Sequence, residues 1–293
     1  MTRLISTLSQ NEQINFLLTN RIPRRLLTRF MGWFSRIESY SLTQLTIKVW
    51  KLFANDLDLS EAKRTKFISL HACFIRELKA GSRTIDNRQE IISSPCDAIV
   101  GTCGKIDGTI VFQAKGFPYE IGDLIPDKLL QEKYRNGVYI TLRLKSSMYH
   151  RFHAPVNCTV NKINYISGDT WNVNPVALKR IEKLYCKNER AVVELDLEDK
   201  SSSITLVPVA AILVASMKFD CLDKPLDLKY QGPNLINCQA EYNKGDEMGY
   251  FQHGSTIILF ATENFSLYKD IESDMRLSMG QALLTNNLAN KPD

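Results

Sequence analysis

Long apolar runs are missing from this 293-residue sequence. No stretch approaches the ~18–20 consecutive apolar residues that a membrane-spanning helix requires. Residues 1–11 are polar and lack the apolar segment of a secretory signal. Both absences predict a protein that stays on the cytoplasmic side of the membrane and does not cross it.

Recognisable metal and nucleotide motifs are also missing. The seven cysteines are odd in number and no two of them form a C-x-x-C motif, which argues against a disulfide framework and a four-cysteine zinc site. Scattered thiols are typical of a reducing compartment. Only four histidines are present and H-E-x-x-H does not occur, so we predict no metal. Neither G-x-G-x-x-G nor a P-loop occurs, so nothing favours nucleotide binding.

The basic residues are concentrated near the N-terminus. Residues 1–51 contain eight Lys or Arg and two acidic residues, whereas the whole chain carries a formal charge of +5. The remaining residues, 52–293, therefore sum to −1. Because the basic residues do not recur along the chain, we expect no nucleic-acid partner.

Residues 24–37 show the pattern of an amphipathic helix. Their large apolar side chains fall within one arc of roughly 160°, with arginines on the opposite arc, and Pro23 suits a first helical turn. This pattern is typical of a helix lying in a lipid interface, and it also fits a helix that covers a core with solvated arginines. Further helical patterns cover 41–53 and 60–78, before a polar loop at 79–88.

Beyond residue 95 the pattern changes to short β-like runs separated by glycine and asparagine. We predict an α+β fold, a mostly antiparallel and sandwich-like β-sheet core preceded by N-terminal amphipathic helices. The predicted boundary divides a helical arm, 1–80, from a β-rich domain, 81–293. One helix is expected near 126–134. The candidate strands are 98–100, 109–114, 138–144, 160–166, 191–197, 204–217 and 249–260.

Three segments contain residues suited to catalysis. His150 and His153 are three residues apart, a spacing that gives one face in a helix or turn and opposite faces in a strand. Asp97 stands where the β pattern begins, and Gly254-Ser255 interrupts an apolar run. Each has an ordinary explanation, as a hydrogen-bonded loop histidine, a turn aspartate or a turn hydroxyl. A hydrolase elbow would need G-x-S-x-G, which is absent here.

In combination and in this order, these segments resemble the phosphatidylserine decarboxylases, pyruvoyl enzymes made as proenzymes. Two departures are Met148, where many members have aspartate, and His253, where bacterial members often have leucine. The resemblance runs from about Phe74 to Leu283. Its matches are Asp97, Y-H-R-x-H at 149–153 with Pro155, G-S-T at 254–256, F-I-R-E-L-K-A-G-S-R at 74–83, Q-A-K-G at 113–116, V-N at 173–174, N-E-R at 188–190, V-A-A at 209–211 and K-G-x-E-M-G at 244–249.

The resemblance implies self-cleavage between Gly254 and Ser255. Asp97 would orient His153, which would take the hydroxyl proton of Ser255 in a charge relay like that of a serine triad. The serine would attack the preceding carbonyl, and elimination and loss of ammonia would leave a covalent pyruvoyl group derived from Ser255. The products, a β chain of residues 1–254 and an α chain of residues 255–293, would remain together as a heterodimer.

The resemblance also implies the reaction. Phosphatidylserine would form a Schiff base with the pyruvoyl ketone, lose CO₂ and leave as phosphatidylethanolamine, with His150 as proton donor. A lipid substrate favours the membrane interpretation of residues 24–37 and a peripheral location on the cytoplasmic side of the cell membrane. Arg151 and Lys115 are candidates for phosphate contacts or for solvated surface roles. Two alternatives stay open, a pyruvoyl decarboxylase of a soluble amino acid and a membrane-binding β domain in which Gly254-Ser255 is only a turn.

Overall fold

Helices occupy the N-terminal part of the chain, and strands dominate beyond residue 90. The computed structural model describes residues 12–20, 23–114, 117–213, 216–252 and 255–288. Four residues that the sequence analysis singled out, Lys115, Gly116, His253 and Gly254, lie outside the described residues.

The described helices confirm the predicted N-terminal helices and the helix near 126–134. Helix α3 begins after Ser39, whose hydroxyl accepts a hydrogen bond from the Leu42 amide. The helices are α1, Glu12–Asn20; α2, Arg24–Phe34; α3, Tyr40–Phe53; α4, Leu70–Phe74; α5, Ile121–Leu124; α6, Lys128–Lys133; α7, Pro175–Leu178; and α8, Leu184–Lys187.

The predicted helix at 60–78 is wrong over most of its length, because only α4 is helical there. Ala62 instead forms a β-bridge with Leu78. The backbone N–H of Lys63 donates to the Glu77 carbonyl oxygen at 2.9 Å. This segment satisfies its backbone through partners far along the chain, which a local periodicity does not reveal.

The strands confirm the predicted α+β class with mostly antiparallel sheets. An eight-stranded sheet has the order β12-β7-β8-β9-β14-β5-β2-β16, and a four-stranded sheet has the order β11-β10-β13-β6. The order β1-β17-β15 forms a third sheet, and β3-β4 forms a hairpin. The strands are β1, Ile91–Ser93; β2, Ala98–Lys105; β3, Ile110–Ala114; β4, Phe117–Glu120; β5, Val138–Leu144; β6, Arg151–His153; β7, Cys158–Ile166; β8, Arg190–Leu195; β9, Ile204–Ala210; β10, Ser216–Phe219; β11, Leu226–Asp227; β12, Leu235–Tyr242; β13, Glu247–Phe251; β14, Ser255–Ala261; β15, Phe265–Leu267; β16, Arg276–Leu277; and β17, Ala282–Asn286.

The centre of the eight-stranded sheet is buried on both faces, because every residue of β9 and β14 is buried. Along β14, Ile257 and Leu259 contribute to the same apolar cluster as Phe152 and Phe251 of the four-stranded sheet. The intervening Ile258 belongs to a second cluster, which also contains residues of α5, α6, α7 and α8. Burying each such side chain contributes roughly 1.5–3 kcal/mol, so a central strand like β14 is held firmly from both sides.

Three neighbouring connections pass from the eight-stranded sheet to the four-stranded one. Strands β9, β14 and β5 lie side by side in the large sheet, and β10, β13 and β6 lie in the same order in the small one. Residues 145–150 link β5 to β6, residues after Ala210 link β9 to β10, and residues after Phe251 link β13 to β14. We call this region the seam; its described residues are 145–150, 211–213, 252 and Ser255.

Helix α2 is attached to the core beside the seam. Arg24 forms an ion pair with Asp169 at 2.6 Å. The Thr28 hydroxyl accepts the Leu213 amide at 3.1 Å. These contacts fix the helix while leaving its large apolar side chains, such as Trp33 at 64 % exposure, in solvent. None of the described helices combines the length and the apolar character needed to span a bilayer.

Candidate active site

Ser255 is the first residue of β14 and lies at the seam. Its backbone pairs with Leu144 of β5 on one side and with Ala210 of β9 on the other. The residue is fully buried, and its Oγ has no hydrogen-bond partner among the described residues. A buried hydroxyl without a partner destabilises a fold, so it calls for an explanation such as a bound water, an ion or a role in chemistry. The neighbouring Thr256 hydroxyl has the same property among the described residues.

His153 lies on β6 with both ring nitrogens in hydrogen bonds. Nδ1 is 2.9 Å from the carbonyl oxygen of Gly245, and Nε2 is 2.9 Å from the hydroxyl of Tyr149. A carbonyl oxygen only accepts, so Nδ1 carries the proton and Nε2 presents its lone pair to the tyrosine hydroxyl. Burial lowers the pKa of His153 below its usual 6.5. The imidazole is therefore neutral near pH 7, with Nε2 as the basic nitrogen.

Asp97 is held by a different set of partners. Its two carboxylate oxygens accept hydrogen bonds from Arg83 at 2.8 and 2.5 Å, and the Met279 amide donates to Oδ1 at 2.9 Å. The pair is largely shielded from solvent, with side-chain exposures of 13 % for Arg83 and 10 % for Asp97. The carboxylate also lies close enough to His153 to favour the charged imidazole.

Of the three predicted relay residues, Asp97 and His153 are neighbours, whereas Ser255 lies at the seam beside Leu144 and Ala210. The backbone N–H of His153 donates to the Pro95 carbonyl oxygen at 2.8 Å, which brings β6 beside the segment that contains Asp97. Within the described residues, no hydrogen bond joins Asp97 to His153 or His153 to Ser255. The Gly245 carbonyl oxygen orients the imidazole, in the place that the sequence analysis gave to Asp97.

His150 lies in the seam, fully buried. Its Nδ1 donates to the Met148 carbonyl oxygen at 2.9 Å, and its ring lies 4.0 Å, centroid to centroid, from that of Phe74. The Phe251 amide donates to the His150 carbonyl oxygen at 3.0 Å, which ties this histidine to the connection that leads to Ser255. The departure at Met148 leaves this contact unchanged, because the backbone oxygen accepts the bond.

An open cleft of about 520 Å³ gives access to His153. Tyr149, Arg83, Arg151 and Glu247 line it together with the histidine. Among the described residues, no group of three or more His, Cys, Asp or Glu side chains is arranged to hold a metal ion. The cleft therefore contains acid–base and charged groups around one neutral imidazole.

Sequence reasoning missed three residues of this site. Tyr149, Arg83 and Gly245 all stand inside the stretches that carried the family resemblance, but none was given a role. The signal for Tyr149 was its position four residues before His153, a spacing that a turn can close. The carbonyl of Gly245 has no sequence signature, because every residue has one.

The fold and the site define a β-rich protein of mostly antiparallel sheets, with a buried serine and two buried histidines close to where two of the sheets connect. Residues 70–285 match the family model for phosphatidylserine decarboxylase. The phosphatidylserine decarboxylase proenzyme of Haemophilus influenzae is 31 % identical over 275 residues, covering 89 % of this chain and 92 % of the relative. The proenzyme of Shewanella baltica is 31 % identical over 287 residues, covering 92 % and 96 %. The proenzyme of Shewanella putrefaciens is 30 % identical over 288 residues, covering 94 % and 99 %.

The chain belongs to the phosphatidylserine decarboxylase family. It is therefore an enzyme of the carboxy-lyase class. The word proenzyme in the names of these relatives describes a precursor that is processed to its active form.

Proposed function

We propose that this protein converts phosphatidylserine to phosphatidylethanolamine and CO₂, using a pyruvoyl group that it makes from its own Ser255. The observation that carries the proposal is the fully buried Ser255 hydroxyl without a hydrogen-bond partner, at the seam that also contains His150. Because this hydroxyl makes no hydrogen bond among the described residues, self-cleavage can convert it without loss of such a bond. The same observation is therefore consistent with a pyruvoyl group at position 255.

Self-cleavage begins with proton transfer from Ser255 to His153. The neutral imidazole has its lone pair on Nε2, so it can act as a base. Since Nε2 has a single lone pair, the Tyr149 hydroxyl must turn away before the serine proton is accepted. The serine oxygen attacks the carbonyl carbon of Gly254, and the C–N bond breaks to give an ester. β-Elimination then breaks the Cβ–O bond of Ser255, which releases the Gly254 carboxylate and leaves dehydroalanine. One water molecule hydrolyses its imine form to the ketone and releases ammonia.

Asp97 contributes negative charge close to the imidazole. Its carboxylate favours the protonated form of His153, which is the form produced when the serine proton is taken. Arg83 holds the carboxylate in position through two hydrogen bonds. The Gly245 carbonyl oxygen keeps the proton on Nδ1 and thereby orients the imidazole. The Asp97 carboxylate supplies only negative charge.

The cleaved chains are expected to stay together. Strand β14 pairs along its whole length with β5 and β9, and both of these belong to residues 1–254. Strands β16 and β17 of the short chain pair with β2 and β1 of the long one. Cleavage before Ser255 therefore leaves the central strand of the sheet in place.

In the processed enzyme, the pyruvoyl group would accept the electron pair that is released when the bond to CO₂ breaks. We assign His150 as the proton donor to the substrate carbon that loses CO₂. Its ring is fixed between Phe74 and the Met148 carbonyl oxygen, so its orientation is set before substrate arrives. Burial of the histidine excludes bulk water as a competing proton source.

The apolar side chains of α2 and α3 form the proposed membrane face. The C-terminal end of helix α2 lies beside the seam, because Arg36, two residues beyond the helix, donates to the Gln252 side-chain oxygen at 2.8 Å. A membrane on this face would bring the lipid headgroup next to the reacting residues, as expected of a peripheral protein on the cytoplasmic side of the cell membrane. The face consists of Leu26, Phe30, Trp33, Leu45, Val49, Leu52 and Phe53, all exposed.

The test is to incubate the purified protein with vesicles containing phosphatidylserine and to measure CO₂ and phosphatidylethanolamine. We expect both products, and neither from the Ser255→Ala protein. Release of CO₂ from free amino acids but not from phosphatidylserine would support the soluble-substrate alternative. The triple variant Leu26→Ser, Phe30→Ser, Trp33→Ser should still self-cleave but no longer sediment with vesicles, and unchanged sedimentation would refute the membrane face.

A further inference from the structure

A cavity of about 260 Å³ lies beside the seam and has a strongly basic lining. It is distinct from the open cleft at His153, although the two share Glu77 and Arg151. Phe67, Ile68, Ala72 and Ile75 supply its apolar wall. Its charged lining residues are Lys63, Arg64, Lys66, Arg76, Glu77 and Arg151.

Two of these cations are already paired with carboxylates. Lys63 lies 2.5 Å from Glu77, and Arg151 lies 2.5 Å from Glu247. Arg64 and Lys66 are exposed and form no ion pair among the described residues. Five basic residues and one acidic residue line the cavity, so the lining has an excess of positive charge.

Arg76 is the most informative residue of the cavity. It is 5 % exposed, its guanidinium donates only to backbone carbonyl oxygens, and its Nε–H has no partner within the described ranges. Burial lowers the pKa of this guanidinium. Asp97 and Asp58 act on this cation only at a distance, and no carboxylate among the described residues forms a hydrogen bond with it. A buried cation without a hydrogen-bonded carboxylate is costly unless an anion accompanies it, so this side chain points to a negatively charged ligand.

The cavity wall is directly connected to the proposed proton donor. Arg76 donates to the Met148 carbonyl oxygen at 3.2 Å, and the same oxygen accepts Nδ1 of His150 at 2.9 Å. Phe74, two residues before Arg76, lies against the His150 ring. One short segment of chain therefore separates the cavity from His150.

We propose that this cavity binds the phosphodiester of the lipid headgroup, with Arg76, Arg64 and Lys66 as its principal cations. The inference rests on the proposed function and adds the part of the substrate that it left unassigned. In phosphatidylserine, one oxygen and one carbon separate the phosphorus from the carbon that loses CO₂. A phosphate site must therefore lie next to the residue that protonates that carbon, as this cavity does. Guanidinium and ammonium groups are the usual partners of phosphate oxygens.

Binding is tested on the uncleaved Ser255→Ala chain, so the result does not depend on pyruvoyl formation or decarboxylation. Calorimetric titration compares glycerophosphoethanolamine, a soluble phosphodiester headgroup, with ethanolamine, which has no phosphate. We expect the first to bind and the second not to. The double variant Arg64→Gln, Lys66→Gln should weaken binding roughly tenfold or more, since each removes a charged hydrogen-bond donor.

The matched control is Lys48→Gln, Lys51→Gln, which removes two exposed charges from α3 without touching the cavity. Affinity within twofold of the parent is expected for this control. Equal weakening by both double variants would overturn the proposal in favour of a general charge effect. Tight binding of inorganic phosphate without binding of glycerophosphoethanolamine would also overturn it, in favour of a free-phosphate site.

A second measurement uses the active enzyme with phosphatidylserine vesicles. Arg64→Gln, Lys66→Gln should raise KM while leaving kcat and self-cleavage unchanged, because neither residue contacts His150, His153 or Ser255 in the described structure. An unchanged KM would contradict the assignment. If the enzyme proved inactive on phosphatidylserine, the binding result on the uncleaved chain would still decide the anion site.

Discussion

Replacing Ser255 by alanine is expected to end self-cleavage without weakening the fold. The Oγ atom is fully buried and has no partner within the described residues. An unsatisfied buried hydroxyl costs about 1–3 kcal/mol, and removing it recovers part of that cost. The loss of one packed oxygen atom works in the opposite direction. We therefore expect the free energy of unfolding to rise by 0 to about 2 kcal/mol.

The comparison must be made between uncleaved chains. His153→Gln serves as the reference, after a denaturing gel has shown that it remains one chain. Urea unfolding then compares this reference with His153→Gln, Ser255→Ala. The control is His153→Gln, Ser93→Ala, because the Ser93 hydroxyl is equally buried but donates to the Pro155 carbonyl oxygen at 3.1 Å. That control should lose about 1 kcal/mol.

The two serine substitutions should thus change stability in opposite directions. If Ser255→Ala lowered the free energy of unfolding as much as Ser93→Ala, the hydroxyl would be part of the structural hydrogen bonding. The Ser255 hydroxyl would then not be reserved for chemistry.

Three further predictions concern the groups around the imidazole. Arg83→Gln should lower the free energy of unfolding by about 2–4 kcal/mol, because it leaves the shielded Asp97 carboxylate without its ion pair; urea unfolding of Arg135→Gln, from an exposed pair, should show no change. The self-cleavage rate should fall as the pH drops through the lowered pKa of His153, below 6.5, because the protonated imidazole has no lone pair; a rate that rises on acidification, followed by gel densitometry, would contradict this. Tyr149→Phe should self-cleave at least as fast as the parent, since it frees Nε2; loss of cleavage would instead make the hydroxyl part of the proton path.

The apolar run at 249–260 shows what the sequence pattern could and could not predict. Its strand character is correct, and the polar residues within it were recognised as a break. The structure divides the run between β13 and β14, which belong to different sheets. Both strands contribute side chains to the same apolar cluster, so both appear as apolar runs in the sequence. Only long-range pairing decides which sheet each strand joins, and this pairing creates the seam.

The site shows the same limit. His150, His153 and Ser255 could be proposed from the sequence, because the family resemblance rests on visible side chains. The atom that orients His153 is the backbone carbonyl oxygen of Gly245. Every residue has such an oxygen, so the sequence does not indicate which one contacts the imidazole. The basic cavity unites residues 63–76 with Arg151 through β-bridge and loop contacts that local patterns do not reveal.

The most direct test of the central claim is the intact mass of the protein under denaturing conditions. We predict two chains, residues 1–254 and residues 255–293. The shorter one should be lighter by one molecule of ammonia than the peptide that begins with serine, and blocked to N-terminal sequencing. A single chain of 33.4 kDa would contradict the self-cleavage mechanism. A short chain with a free N-terminal serine would show cleavage without formation of the pyruvoyl group, and would contradict the account equally.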